Sequence, residues 1–386
     1  MRVSAALLVL AVGCARNGQP HTAPGNPGVT GADSTTYEGA TFVPAAGDLS
    51  FVDVASGSRF NLMGQAYEGP LAEDAVQLRI LPAMTAFWFA WSVHYPGARV
   101  WPDAVNNAGH TIESGPGCGV PCDELIQGCF GGRDCIPSND EPHWTTAGDT
   151  PRLGYLADDD RVLGLYDGVN ARAYPLDALW THEIVNDGIA DRTFSVTYCP
   201  LTGSGILVEG VQDGTPMRFG VSGLLYNSNL VLYDRTTDSL YGQMRQVGFK
   251  GDNLGLPLAT APVVDTTWGT WRAMFPDTAV LSDRNGISGY PYGDYRTDDA
   301  DTFMRTNPPP DPRYAAKDYA IGVTVGDETV IYAFPEIEAR VGKVGIVTDT
   351  VGDEPVVLAY DGRSQTAVVF SARIAGEPAT FEVGGD

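Results

Sequence analysis

The spacing of apolar and polar residues describes a succession of short strands with few helices. Val162–Tyr166 and Ala171–Tyr174 flank Asp167-Gly168 and predict a hairpin. From Thr193 to Cys199 the residues alternate. Phe194, Val196 and Tyr198 fall on one face, and Thr193, Ser195, Thr197 and Cys199 on the other. Further strands are expected over Gly205–Glu209, Met217–Val221 and Leu230–Tyr233. Asp177–Val185 reads as a short helix with Asp177 as N-cap, and continuing it one turn sets His182 and Asn186 on one face. Thr267–Met274, with its Trp-x-x-Trp spacing, suits a short amphipathic helix.

The pattern repeats along the chain. Val162-Leu163-Gly164-Leu165 through Ala171–Pro175 matches Ala320-Ile321-Gly322-Val323 through Tyr332–Pro335. The match continues in one register, pairing Val185 with Val347, Asp187 with Asp349, Tyr198 with Tyr360 and Phe219 with Phe381, each 162 residues apart. A second set runs in reverse order. Asp53, Ser58 and Phe60 match Asp234, Ser239 and Tyr241 at a spacing of 181, and Trp88, Trp91 and Pro96 match Trp268, Trp271 and Pro276 at 180. One copy therefore runs unbroken over about 161–282, and the other is split into 319–383 followed by 48–101. If both fold alike, the two ends of the globular part meet in space, as in a circular permutation. The expected fold is α+β and mainly β, a single internally duplicated, pseudo-two-fold domain with short helices over 48–386.

The N-terminus departs from this pattern. Arg2 precedes the apolar run Ala5–Val12 and then Gly13-Cys14, which is the form of a signal peptide over 1–13 and too short for a membrane span. Ala11-Val12-Gly13-Cys14 resembles a bacterial lipobox, with Cys14 as the lipidated residue and membrane partner, and Leu is more usual where Ala11 stands. Residues 15–46, rich in Gly, Pro, Thr, Ser and Ala, read as a flexible tether. The expected location is exported and lipid-anchored in the bacterial cell envelope. Lys plus Arg total 24 against 48 Asp plus Glu, a net charge of -24 that excludes a nucleic-acid partner. Asp158-Asp159-Asp160 is read as solvated loop carboxylates rather than a calcium site.

Export makes disulfides the expected state of Cys118, Cys122, Cys129 and Cys135, with three connectivities open. The alternative is a four-cysteine zinc site, which the absence of any Cys-x2-Cys knuckle disfavours. Cys199 is left alone, at a strand end entering a Gly-rich turn.

The densest polar region runs from His182-Glu183-Ile184-Val185-Asn186-Asp187 through Tyr198–Gly205 to Gly220–Ser228. It nominates Cys199, His182 and Asp187 for chemistry, with Cys199 as thiolate and His182 as its base. Tyr198, Thr202, Ser204, Ser222, Tyr226 and Asn227 are the candidate ligand-lining residues. With Cys199 and His182 as ligands, the cofactor class is a soft metal ion. The bland alternative makes Cys199 a buried structural thiol and His182 a packing residue. The second copy lacks the set, carrying Asp361 in place of Cys199 and Val341-Gly342-Lys343 near the helix position. No Gly-x-Ser-x-Gly elbow, P-loop, His-Glu-x-x-His or dinucleotide fingerprint is present. Three readings follow: a ligand- or metal-binding site near His182, Asp187 and Cys199; a Cys199-dependent enzyme; or a structural module of the envelope.

The segments Ala171–Leu176, His182–Asp187, Val196–Gly205 and Phe219–Ser228 together resemble the bacterial and archaeal family known as domain of unknown function 3179. Thr85–Trp91 looks like that family's Trp-rich segment, which there usually follows the second repeat and here precedes everything. Some members carry a second cysteine where Thr202 stands, so a Cys-x-x-Cys couple is unavailable in this chain. The resemblance implies an exported protein of this fold and no particular activity.

Overall fold

The computed structural model describes residues 34–36, 41–45, 47–104, 114–282 and 290–384. The expected signal peptide and Cys14 lie outside these residues. Within the stretch read as tether, Ser34–Thr36 pairs as a strand with Val76–Leu78, and the Phe42 carbonyl accepts from Asn61 Nδ2 at 2.8 Å.

Strands dominate, and the longest helix among the described residues, Phe334–Val341, has 8 residues. The Arg161–Tyr166/Ala171–Pro175 hairpin forms as expected. On one side it takes Val264–Thr267 antiparallel, and on the other Ala279–Leu281 parallel. The Tyr319–Val325/Glu328–Ala333 hairpin likewise takes Ala83–Phe87 antiparallel and Arg99–Val100 parallel. Each hairpin is followed by a helix and then by a three-stranded antiparallel meander. The first meander is Ile184–Ile189, Arg192–Cys199 and Ser204–Glu209; the second is Val344–Val351, Glu354–Asp361 and Thr366–Ser371.

Next comes a small sheet. In the unbroken stretch it is Phe219–Tyr226, Asn229–Asp234, Leu240–Gly242 and Val247–Lys250. In the other, Phe381–Val383 pairs with Phe51–Asp53, which continues to Arg59–Phe60 and Ala66–Glu68, so the two ends of the described chain lie side by side. Phe51, Phe60, Phe370 and Phe381 pack there with ring centroids 5.6 to 6.2 Å apart. Burial of four such rings, at roughly 25 cal/mol per Å² of apolar surface, holds this junction together.

The helix expected over Thr267–Met274 occurs at Trp268–Met274, and Trp88–His94, which shares the Trp-x-x-Trp spacing, is a helix as well. Both tryptophans of each helix are buried. The chain reaches across between the two halves: Phe87 N donates to Thr202 O at 2.9 Å, and Arg161 donates to the Ser364 and Gln365 carbonyls.

One expected element changes. The helix read over Asp177–Val185 runs Leu176–His182, with Pro175 rather than Asp177 at the N-cap. Glu183 adopts a left-handed φ of 56° and ends it. Ile184 and Val185, both β-branched, pair in a strand with Thr197 and Val196. Asn186 is therefore on a strand and does not share a helical face with His182.

Candidate functional site

Cys199 is the one free cysteine among the described residues. The other four described cysteines pair locally, Cys118 with Cys122 and Cys129 with Cys135, which leaves none of them for zinc. Cys199 ends its strand and pairs with Ser204 across the Pro200–Gly203 turn, where Gly203 supplies a φ of 62°. It is 1% exposed. Its Sγ donates to the Ser228 carbonyl at 3.6 Å. Burial, then the charge of Glu183, push the thiol up, while Thr202 and the Leu230 backbone hydrogen-bond to the sulfur and oppose the shift.

Glu183 is the residue that sequence reasoning missed. Its N–H donates to Leu179 O, and its carbonyl accepts from Tyr198 N–H at 2.8 Å, which ties it to the strand that delivers Cys199. Its side chain is buried, and that burial pushes the carboxyl up to about 8. A buried carboxyl whose charge acts on a buried thiol is a candidate for proton transfer. A signal for it existed. An acidic residue at a helix C-terminus opposes the dipole, and no Lys or Arg stands near it in sequence.

Tyr290, Tyr292 and Tyr295 cover the site. Tyr290 Oη donates to Pro200 O at 2.9 Å and Tyr295 Oη to Leu201 O at 2.8 Å, which closes the segment over the Cys199 turn. Tyr292 is raised by burial and then by the charges of Glu183 and Cys199. Trp180 meets Tyr290 edge-on at 5.2 Å, and Arg296 lies 4.3 Å above the same ring.

The other nominated residues are distributed differently. His182 Nδ1 donates to Pro137 O at 2.9 Å. Asp187 pairs in register with Phe194, five residues along the strand from Cys199, or about 17 Å away. It is occupied by Arg172, by Tyr174 Oη at 2.6 Å and by Gly188 N at 2.7 Å. Its counterpart Asp349 is held in the same way by Arg99, Tyr332 and Thr350. Asp187 thus pins strands and does not reach the thiol. Among the described residues no group of three or more His, Cys, Asp or Glu is placed to hold a metal.

Thr202 and Ser204 belong to a closed buried network with Asn229 and Gln243. Ser204 Oγ donates to Gln243 Oε1 at 2.6 Å, and Asn229 Nδ2 donates to Thr202 Oγ1 at 3.0 Å. Ser222 Oγ bonds Val231 O at a strand irregularity. Asn227 clamps the backbone N–H and carbonyl of Asn307 at 2.9 Å each. Tyr226 packs against His94 and Phe249. Tyr198 is buried on the opposite strand face, beside Tyr319, Asp265 and Arg161. Thr202 alone of these six contacts the sulfur.

These features define a mainly β protein with one buried free thiol next to a buried carboxyl. The family described as "Protein of unknown function (DUF3179)" matches residues 133–386, and the chain belongs to it. The match takes in Glu183, Cys199 and the Tyr290–Tyr295 cover, and leaves Trp88–His94 outside. No curated protein and no solved structure matches the chain.

Proposed function

We propose that the protein is an exported, lipid-anchored envelope protein carrying a nucleophilic thiol, with Cys199 as nucleophile and Glu183 as its proton acceptor. Glu183, buried and tied through its carbonyl to Tyr198, the residue before the buried Cys199, carries this reading. The thiol proton passes to the Glu183 carboxylate and the sulfur attacks an electrophilic carbon. An S–C bond forms, and the leaving group departs with the proton from Glu183. Thr202 and the Leu230 backbone steady the sulfur. Export is supported by the Arg2, Ala5–Val12 and Gly13-Cys14 pattern and by two disulfides.

The common strand order of the two halves and the constant spacings between them support descent from one duplicated unit in permuted order. The half completed by the chain ends has Gly345 and Asp361 where the unbroken half has Glu183 and Cys199, and Asp361 is bound to Arg363. On this reading one half carries the chemistry and the other is scaffold.

Alkylation of the full chain by iodoacetamide across pH, read at Cys199 by peptide mass mapping, tests the mechanism. Wild-type alkylation rises as Glu183 ionises near pH 8, and Glu183→Gln slows it at least ten-fold at that pH. If Glu183 were only a repelling charge, the same substitution would speed the reaction. That outcome, or a thiol that reacts only in denaturant, overturns the proposal.

A further inference from the structure

A groove of about 430 Å³ lies on a different part of the molecule from Cys199, at the seam between the helix Trp268–Met274 and the Asp361–Ser364 turn. Its apolar lining includes Phe42, Leu49, Leu62 and Met274. Four carboxylates, Asp48, Asp158, Asp159 and Asp361, share it with one guanidinium, that of Arg363. That guanidinium is already committed. Its Nε and Nη2 bind Asp361 at 2.9 and 2.6 Å, Nη2 also reaches Asp48 at 3.2 Å, and Nη1 bonds Gly47 O. Asp158 is engaged from outside by Arg272 at 2.7 Å. Asp159 is exposed and makes no ion pair among the described residues.

The corresponding place in the other half shows that the groove is not a by-product of the fold. Gly269 N bonds Asp158 O at 2.9 Å in one half, and Phe89 N bonds Ala316 O at 3.1 Å in the other. A fully buried Phe89 stands where Gly269 lets the Asp158 side chain approach the helix, and Ala316 stands where Asp158 supplies charge. A glycine and an acid on one side, against a phenylalanine and an alanine on the other, distinguish an open acidic groove from a packed core.

We propose that this groove binds a small organic cation with an apolar body, its ammonium against Asp158 and Asp159 and its hydrocarbon over Leu49, Leu62 and Met274. The volume falls within the range of small-molecule pockets. The unbalanced carboxylates favour a positive ligand, and the field of a chain with net charge -24 draws it in. An anionic ligand would meet the exposed Asp158 and Asp159, and a neutral one would leave Asp159 without a counter-charge.

Benzyltrimethylammonium is a suitable probe, titrated into the full chain carrying ¹³C-methyl methionine, with benzyl alcohol as the neutral comparison. The ammonium shifts the Met274 methyl signal saturably, and benzyl alcohol binds at least ten-fold more weakly. The double substitution Asp158→Asn with Asp159→Asn weakens the ammonium three-fold or more, as expected for partly exposed charge pairs. Asp159→Asn alone, which breaks no ion pair, moves affinity in the same direction. Equal binding of the neutral compound, an unmoved Met274 signal, or an unchanged affinity in the double variant would each overturn the assignment.

Discussion

The indole of Trp91 occupies the space that a side chain at Gly322 would need. Trp271 stands in the same relation to Gly164. In both places a strand glycine lets a helix tryptophan settle onto the sheet, which explains why Gly recurs inside two strands that otherwise favour branched residues. Gly322→Ala therefore forces the helix Trp88–His94 away from the sheet. The expected loss is about 1–3 kcal/mol, typical of overpacking, and Gly164→Ala should cost a similar amount. Urea midpoints measure both. A cost below about 0.5 kcal/mol, within the range of ordinary surface changes, would show that the indoles shift freely.

The two tryptophans differ in one respect. Trp271 Nε1 donates to Thr278 Oγ1 at 3.0 Å. The corresponding residue beside Trp91 is Ala98, and Trp91 Nε1 is buried without a partner. Ala98→Thr supplies the missing acceptor and should stabilise the fold by about 1 kcal/mol, the net worth of a buried hydrogen bond. Thr278→Ala should lose that or somewhat more. Thermal and urea unfolding of the two variants, compared with wild type, check the pair. Destabilisation by Ala98→Thr would mean that the site lacks room for the hydroxyl.

Glu183 links stability to pH. Its folded pKa of about 8 exceeds the ordinary carboxyl value near 4.5. Between these values the folded chain holds a proton that the unfolded chain has released, so stability falls as pH rises. The fall from pH 5 to pH 8 should be on the order of 4 kcal/mol. Glu183→Gln removes it, leaving the variant close to wild type at pH 5 and more stable at pH 8. Denaturant titrations at the two pH values decide this, and parallel pH dependence in both proteins would contradict the assignment.

The Cys118–Cys122 and Cys129–Cys135 disulfides close short loops, each worth about 2 kcal/mol in the loop-entropy account. Between them, Ile126–Gln127 adds a strand to the edge at Leu224–Leu225. Reduction should therefore raise amide exchange over 118–135 and along 224–225, while Arg192–Cys199 keeps its protection. Exchange measured with and without reductant shows whether the loosening is local. Global loss of protection would mean that the loop is part of the cooperative core.

The strands around Gly164 and Gly322 were legible because side-chain alternation and the Asp167-Gly168 turn are local signals. The helix at Trp268–Met274 was legible for the same reason. The end of the helix at His182 was not, because Glu183 takes up a left-handed conformation without the glycine that usually announces it. Asp187 looked chemical beside His182 in sequence. A strand then carried it away from the thiol and toward Arg172, fifteen residues earlier. The tyrosine cover at 290–295 comes from a distant loop with no periodic pattern, so its meeting with Cys199 depends on tertiary packing alone. Glu183 lies in the same polar stretch as His182, and only its burial in the fold sets it apart.

The pairing of Asp53 with Phe381 sets the order in which the molecule can be made. A ribosome delivers Phe51–Asp53 long before the strand that flanks it exists, so the early chain exposes an unsatisfied edge until Phe381–Val383 emerges. Loss of Phe381–Val383, by a premature stop or a clipping protease, would strip a neighbour from an early strand of the fold and bare Phe51 and Phe60, far along the sequence from the damage.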